Sequence, residues 1–165
     1  MSKANMSKPV KSKDLMNNVS VARKATKPNK RHQARVFALQ ALYHSHFSDE
    51  SPEMIAKNFL VEHANDFGVE INLDLDFYHA LVLGTLKNRN AIDQMMSPFL
   101  DRSISQLNPV ELSALRLGID ELQFHPEVPP SVVINEAIEL TKEFGSQDGY
   151  KFVNAVLNAF IKSKT

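Results

Sequence analysis

The stretch VINEAIELTKEFGSQDGYKFVNAVLN, residues 133–158, decides the fold. Val133, Ala137, Leu140 and Phe144 recur at helical spacing with Ile134 and Ile138 beside them, which predicts a helix with an apolar stripe wide enough to bury against its neighbours. Gly145 is expected to close that helix in the left-handed conformation, and Ser146 to accept a bond from the first turn of a helix that follows at once. On that second helix Phe152, Val153, Val156, Leu157 and Phe160 fall on one side, so the pair reads as a tightly joined helical hairpin.

Working outward, Pro129 and Pro130 introduce the hairpin, and Asn108, Pro109 and Glu111 give an earlier helix its cap, its first-position proline and an acid in the first turn. Leu112, Leu115, Ile119 and Leu122 form the seam of that helix, which His125 and Pro126 stop. A first helix is expected from Lys30 to Phe47, and a second from the Ser51–Pro52 start to about Ala64. A loop follows over residues 66–72. A third helix begins near Asp74, and a bend near Asn88 leads into a shorter fourth that ends around Pro98. No alternating strand pattern competes, so the class is all-α with about seven helices. Gly84 and Gly118 lie inside helices, which points to close helix approach or, less simply, to ligand contact. Arg116 and Glu136 sit among apolar residues and are expected to pair with each other between helices.

The 165 residues suit one domain or two small halves sharing a core. Without cysteine there is neither a disulfide framework nor a thiolate metal site, and a reducing compartment is suited. No apolar run approaches the roughly 18 residues of a membrane-spanning helix, and no apolar stretch backs the N-terminal lysines as a secretory signal would require. The expected location is therefore cytoplasmic. A net charge of zero hides an asymmetry: residues 1–35 carry ten of the nineteen Lys and Arg against the single acid Asp14, a balance of +9 set against −9 for the rest. A basic arm on an acidic body points to an anionic partner, nucleic acid before membrane, although a merely solvated tail is the plain alternative for residues 1–27. That segment is too polar to repay the entropy of ordering and is expected to be disordered.

No phosphate loop, nucleophile elbow or zinc-binding helix is present, and no cofactor is expected. His44 and His46 are two apart and diverge on a helix, which argues against a metal site. Lys30, Arg31 and Arg35, with His32 and Gln33 between them, instead place cationic and hydrogen-bonding groups on a rigid helix start, as single-stranded RNA requires. Tyr43 lies further along the same helix. Tyr150, Lys151 and Phe152 put two aromatics and a cation at another helix start beside Asp148; core packing and base stacking compete equally for Phe152.

The segments ARVFALQALY (34–43), NPVELSALRLGIDEL (108–122) and INEAIELTKEFGSQDGYKFVNAVL (134–157) resemble the NusB family of bacterial transcription antitermination factors. The likeness runs from about residue 30 to 161. It implies two packed helical bundles, over about residues 30–100 and 101–162 of a domain spanning 30–165, with residues 1–29 as a basic extension. It also implies no enzymatic activity, and binding to boxA RNA of nascent ribosomal-RNA transcripts together with ribosomal protein NusE, in a complex with other Nus factors on RNA polymerase. Carried over residue by residue, the RNA surface falls on Lys30, Arg31, His32, Gln33, Arg35, Tyr43, Asp148, Lys151 and Phe152. The NusE-facing acid falls on Glu111, with Phe99 and Arg102 nearby. His32 and Gln33 dilute the arginine run, and Ser105 and Gln106 stand where the family can have acids. Two other readings compete: a protein scaffold whose acidic body does the binding, and the NusB-like helical domain of ribosomal RNA methyltransferases, which the lack of a cofactor-binding half disfavours.

Overall fold

The computed structural model describes residues 29–64 and 72–165. Among these it forms seven α-helices and no strand: α1 Lys30–Ser45, α2 Pro52–Ala64, α3 Leu75–Lys87, α4 Arg89–Met96, α5 Pro109–Phe124, α6 Pro130–Phe144 and α7 Gly149–Lys162. Two short 3-10 turns, Ser97–Phe99 and Ile104–Gln106, join α4 to α5. The all-α expectation and the helix count hold. The expectation of disorder over residues 1–27 and most of the loop after α2 lie outside the described residues.

The helix starts follow the capping chemistry. Asn29 Oδ1 accepts from the amides of Arg31 (2.8 Å) and His32 (3.3 Å), Ser51 Oγ from Met54 (3.2 Å), Asp74 Oδ1 from Phe77 (3.0 Å) and Asn108 Oδ1 from Val110 (2.8 Å). The bend at Asn88 is where expected, and the Asn88 side-chain amide donates to the Gly84 carbonyl at 3.0 Å.

Two apolar cores result. Ten consecutive buried residues from Ala34 to Tyr43 make α1 the centre of the first, which α2 and α3 complete together with Val110, Ala114 and Leu117 of α5 and Leu140 and Phe144 of α6. The second gathers Ile92 and Met96 of α4, Leu112, Leu115 and Ile119 of α5, Ile134 and Ala137 of α6, and the inner side of α7. Thus α5 and α6 face both cores. The sequence reading groups α4 with the first bundle, whereas its buried side chains belong to the second core. The short polar segment around Asn88 gives no sign of which core takes the next turn.

Three local readings need correction. Gly145 is extended (φ −91°, ψ −171°), not left-handed. Its role is spatial, because a Cβ there would lie 2.7 Å from the Thr141 carbonyl oxygen. Ser146 caps nothing; its Oγ donates to Glu111 Oε2 (2.5 Å), and α7 starts three residues later. Arg116 and Glu136 do not pair with each other. Arg116 holds Asp93 through two bonds of 2.8 and 2.9 Å, while Glu136 meets His32 and Arg35. Each is an interhelical tie, but the apolar patterns did not reveal the partner. The close-approach reading of the helical glycines holds: a Cβ on Gly84 would come to 3.0 Å from Asp120 Oδ1, and one on Gly118 to 3.0 Å from Leu157 Cδ1.

Candidate nucleic-acid interface

At the start of α1 the cap leaves Lys30 and Arg31 exposed, because burial begins only at Ala34. The Arg31 guanidinium lies 4.2 Å from the centre of the Phe77 ring on α3, with Nε 3.7 Å from Asp74 Oδ2, and the side chain is 44% exposed. One turn on, Arg35 is of a different kind. Only 5% exposed, it donates from Nε and Nη2 to the two Glu121 oxygens (2.7 and 2.9 Å) and from Nη1 to Glu136 (3.5 Å). Burial alone would lower its pKa, yet the bonds and charges of Glu121 and Glu136 prevail and raise it. Arg35 was expected on the RNA surface; in the structure it is an internal charge, since α1 is surrounded on all sides from residue 34. His32 Nδ1 lies 2.6 Å from Glu136 Oε1, and Gln33 is half-buried.

Of the other expected residues, Glu111, Asp148, Lys151, Phe152 and Arg102 lie toward the opposite end of α5, whereas Phe99 does not join them. Glu111, buried under the α6–α7 turn, accepts from the Ser146 amide (3.1 Å) and hydroxyl, and Gly149 packs directly against its carboxylate. On the exposed first turn of α7, Lys151 Nζ lies 3.5 Å from Asp148 Oδ1. Phe152 is half-buried against the second core and carries Arg102 over its ring at 4.8 Å, while Arg102 also donates to Asp101 (2.8 Å). Phe152 thus packs on the core on one side and carries an arginine of its own chain on its ring. Phe99 meets Phe160 edge-on at 6.4 Å. Tyr43, 4% exposed, is part of the first core and packs edge-on against the exposed Phe47. Glu121 and Glu111 are ten residues apart on α5, about 15 Å by helical rise, so the two groups form separate poles.

Sequence reasoning missed Glu121, Asp74 and Phe77 as parts of the first pole. Glu121 had a weak signal, one of two adjacent acids beside the apolar seam of Leu115, Ile119 and Leu122. Phe77 had none, since its spacing was that of any core residue. His44 meets Glu50 (3.4 Å) and His46 meets Ser113 (3.3 Å), and no cluster of three potential metal ligands exists among the described residues.

The NusB family model matches residues 32–162, which span all seven helices but the first two residues of α1. The chain belongs to the NusB family. Relatives described as transcription antitermination protein NusB include those of Coxiella burnetii strain RSA 493, 48% identical over 78% of this chain and 89% of theirs, and of Pasteurella multocida, 44% identical over 78% and 85%. Among solved structures, Thermotoga maritima NusB superposes with a TM-score of 0.70 at 28% identity, covering 83% of this chain and 93% of its own. A structure of antitermination factors NusB and NusE in complex with double-stranded RNA gives 0.70 at 30% identity, covering 80% and 96%. Membership in the NusB family makes this chain a non-catalytic, RNA-binding antitermination factor. No helix among the described residues is long and apolar enough to cross a membrane.

Proposed function

We propose that the chain captures boxA RNA of nascent ribosomal-RNA transcripts as a heterodimer with ribosomal protein NusE, within a cytoplasmic Nus-factor complex on RNA polymerase. The observation that carries this reading is the pair of exposed cations, Lys30 and Arg31, on a capped helix start at the end of an acidic body that supports them with α3, α5 and α6. These two hold phosphate or base, with His32 and Gln33 at the edge of the contact. Arg35 and Tyr43 act from inside by fixing α1. At the other pole Lys151, Asp148 and Phe152 extend the RNA track, Glu111 and Arg102 face NusE beside the α6–α7 turn, and Phe99 adds to the NusE contact from the separate turn after α4. It supports this reading that a relative of 30% identity is solved with both NusE and RNA.

The test is filter binding of a boxA RNA and a scrambled control, with and without NusE. Preferential retention of boxA, strengthened by NusE, is expected; equal retention of both RNAs under both conditions would overturn the proposal. Arg31→Ala is expected to weaken binding while leaving the melting temperature almost unchanged. Arg35→Gln is expected to cost about 3–5 kcal/mol of stability, because it strands Glu121 in the interior.

A further inference from the structure

We infer that Phe77, on α3, is a positioning residue for RNA: its ring holds the Arg31 guanidinium so that the outer side of that group is offered to a nucleobase. The inference rests on the RNA-binding reading of the α1 start and adds to it a residue outside α1 and a chemical class of contact. The ring is 5% exposed and does not move freely, because it is packed in the first core and meets the His125 ring edge-on at 5.8 Å. Arg31 lies over it at 4.2 Å and Arg35 at 5.0 Å, so two guanidinium groups one turn apart share a single aromatic support.

The two arginines have different fates. Arg35 is fixed by Glu121 and Glu136 and has nothing left to offer a ligand. Arg31 has one long ion pair, 3.7 Å to Asp74, and the more distant Glu127 also feels its charge, so the guanidinium is held without being enclosed. A long, flexible side chain loses rotamer freedom when it is fixed, and an arginine already held against a ring has given up part of that before the ligand arrives. A guanidinium is planar and stacks on π-faces, so the side turned from Phe77 matches an unstacked base of single-stranded RNA. Lysine carries the same charge but has no such plane. The shared charge and the differing shape separate this inference from a plain phosphate contact.

The experiment measures affinity for a boxA RNA as a function of salt for wild type, Arg31→Lys, Phe77→Met and the double variant, with thermal melts as a check of folding. Arg31→Lys keeps the charge and lies on an exposed first turn, so it reports whatever happens to the core variant. Both single variants are expected to weaken binding by about two- to five-fold, the size of one partly exposed cation–π contact. The salt slope should stay that of wild type, and the double variant should lose no more than the worse single. Wild-type affinity in Arg31→Lys would overturn the base-stacking role. Wild-type affinity in Phe77→Met, or a loss that adds in full to that of Arg31→Lys, would overturn the positioning role. Failure of wild type itself to prefer boxA RNA would instead remove the reading on which both depend.

Discussion

Among single residues, the buried ionisable groups are informative because their surroundings differ so much. Arg35 has two carboxylates within reach, Arg116 has one, and Asp120 has no hydrogen-bond partner among the described residues although it is fully buried on α5. His125 Nε2 stands 3.5 Å from Asp120 Oδ2, and Gly84 of α3 closes over the carboxyl. Burial first, and the neighbouring Glu121 second, push the Asp120 carboxyl up to about 8. Between about pH 4 and 8 the folded chain thus keeps a proton that the unfolded chain has released. The resulting stabilisation is complete below the unfolded pKa and is lost as pH rises through 8. Asp120→Asn cannot ionise. Denaturant melts of both proteins at pH 5 and pH 9 are expected to show wild type losing stability relative to the variant at the higher pH, by about 1.4 kcal/mol for each unit between pH 5 and the folded pKa, a few kcal/mol in all. A constant difference between the two pH values would mean that Asp120 is already ionised in the fold.

At the scale of elements, most of the helices could be read in the chain because their signals are local. Asn–Pro, Ser–Pro and Asn29 act on the amides of the next turn, within three residues, and each start lies where those residues put it. The α6–α7 junction was misread because its determinant is remote: Glu111, 35 residues earlier in the chain, takes the Ser146 hydroxyl and amide that a local reading assigns to capping. The same distance in sequence explains the site. The exposure of Lys30 and Arg31 follows from their place ahead of the apolar run, whereas the loss of Arg35 to the interior depends on Glu121, 86 residues away. Gly149 tests the remote tie. A Cβ at that position would collide with the Glu111 carboxylate, which is already engaged by Ser146, so neither partner can yield without losing a bond. Gly149→Ala is expected to destabilise by about 1–3 kcal/mol in spite of alanine's better helix propensity. In NMR it should shift the Ser146 amide resonance, and a neutral or stabilising effect would show that the turn is not held through Glu111.

For the whole molecule, the sharing of α5 and α6 between two cores fixes the distance between the poles of the proposed RNA surface. That separation, about 15 Å along α5, exceeds the roughly 8 Å screening length at physiological salt, so the cations at the two ends contribute independently to RNA binding. The seven Lys and Arg of residues 1–27, against the single acid Asp14, precede Lys30 in the chain and so add their charge to that pole in sequence. If they meet phosphates, removal of residues 1–27 releases fewer counterions on binding, and the log–log salt slope falls by about 0.7 for each phosphate left without its cation. The deletion is expected to weaken RNA binding most at low salt and to flatten that slope. Adding Lys151→Ala should flatten it further by its own independent amount. A slope identical to wild type in the deletion variant at every salt concentration would mean that the RNA is held by the helical body alone, and that the basic segment has another use.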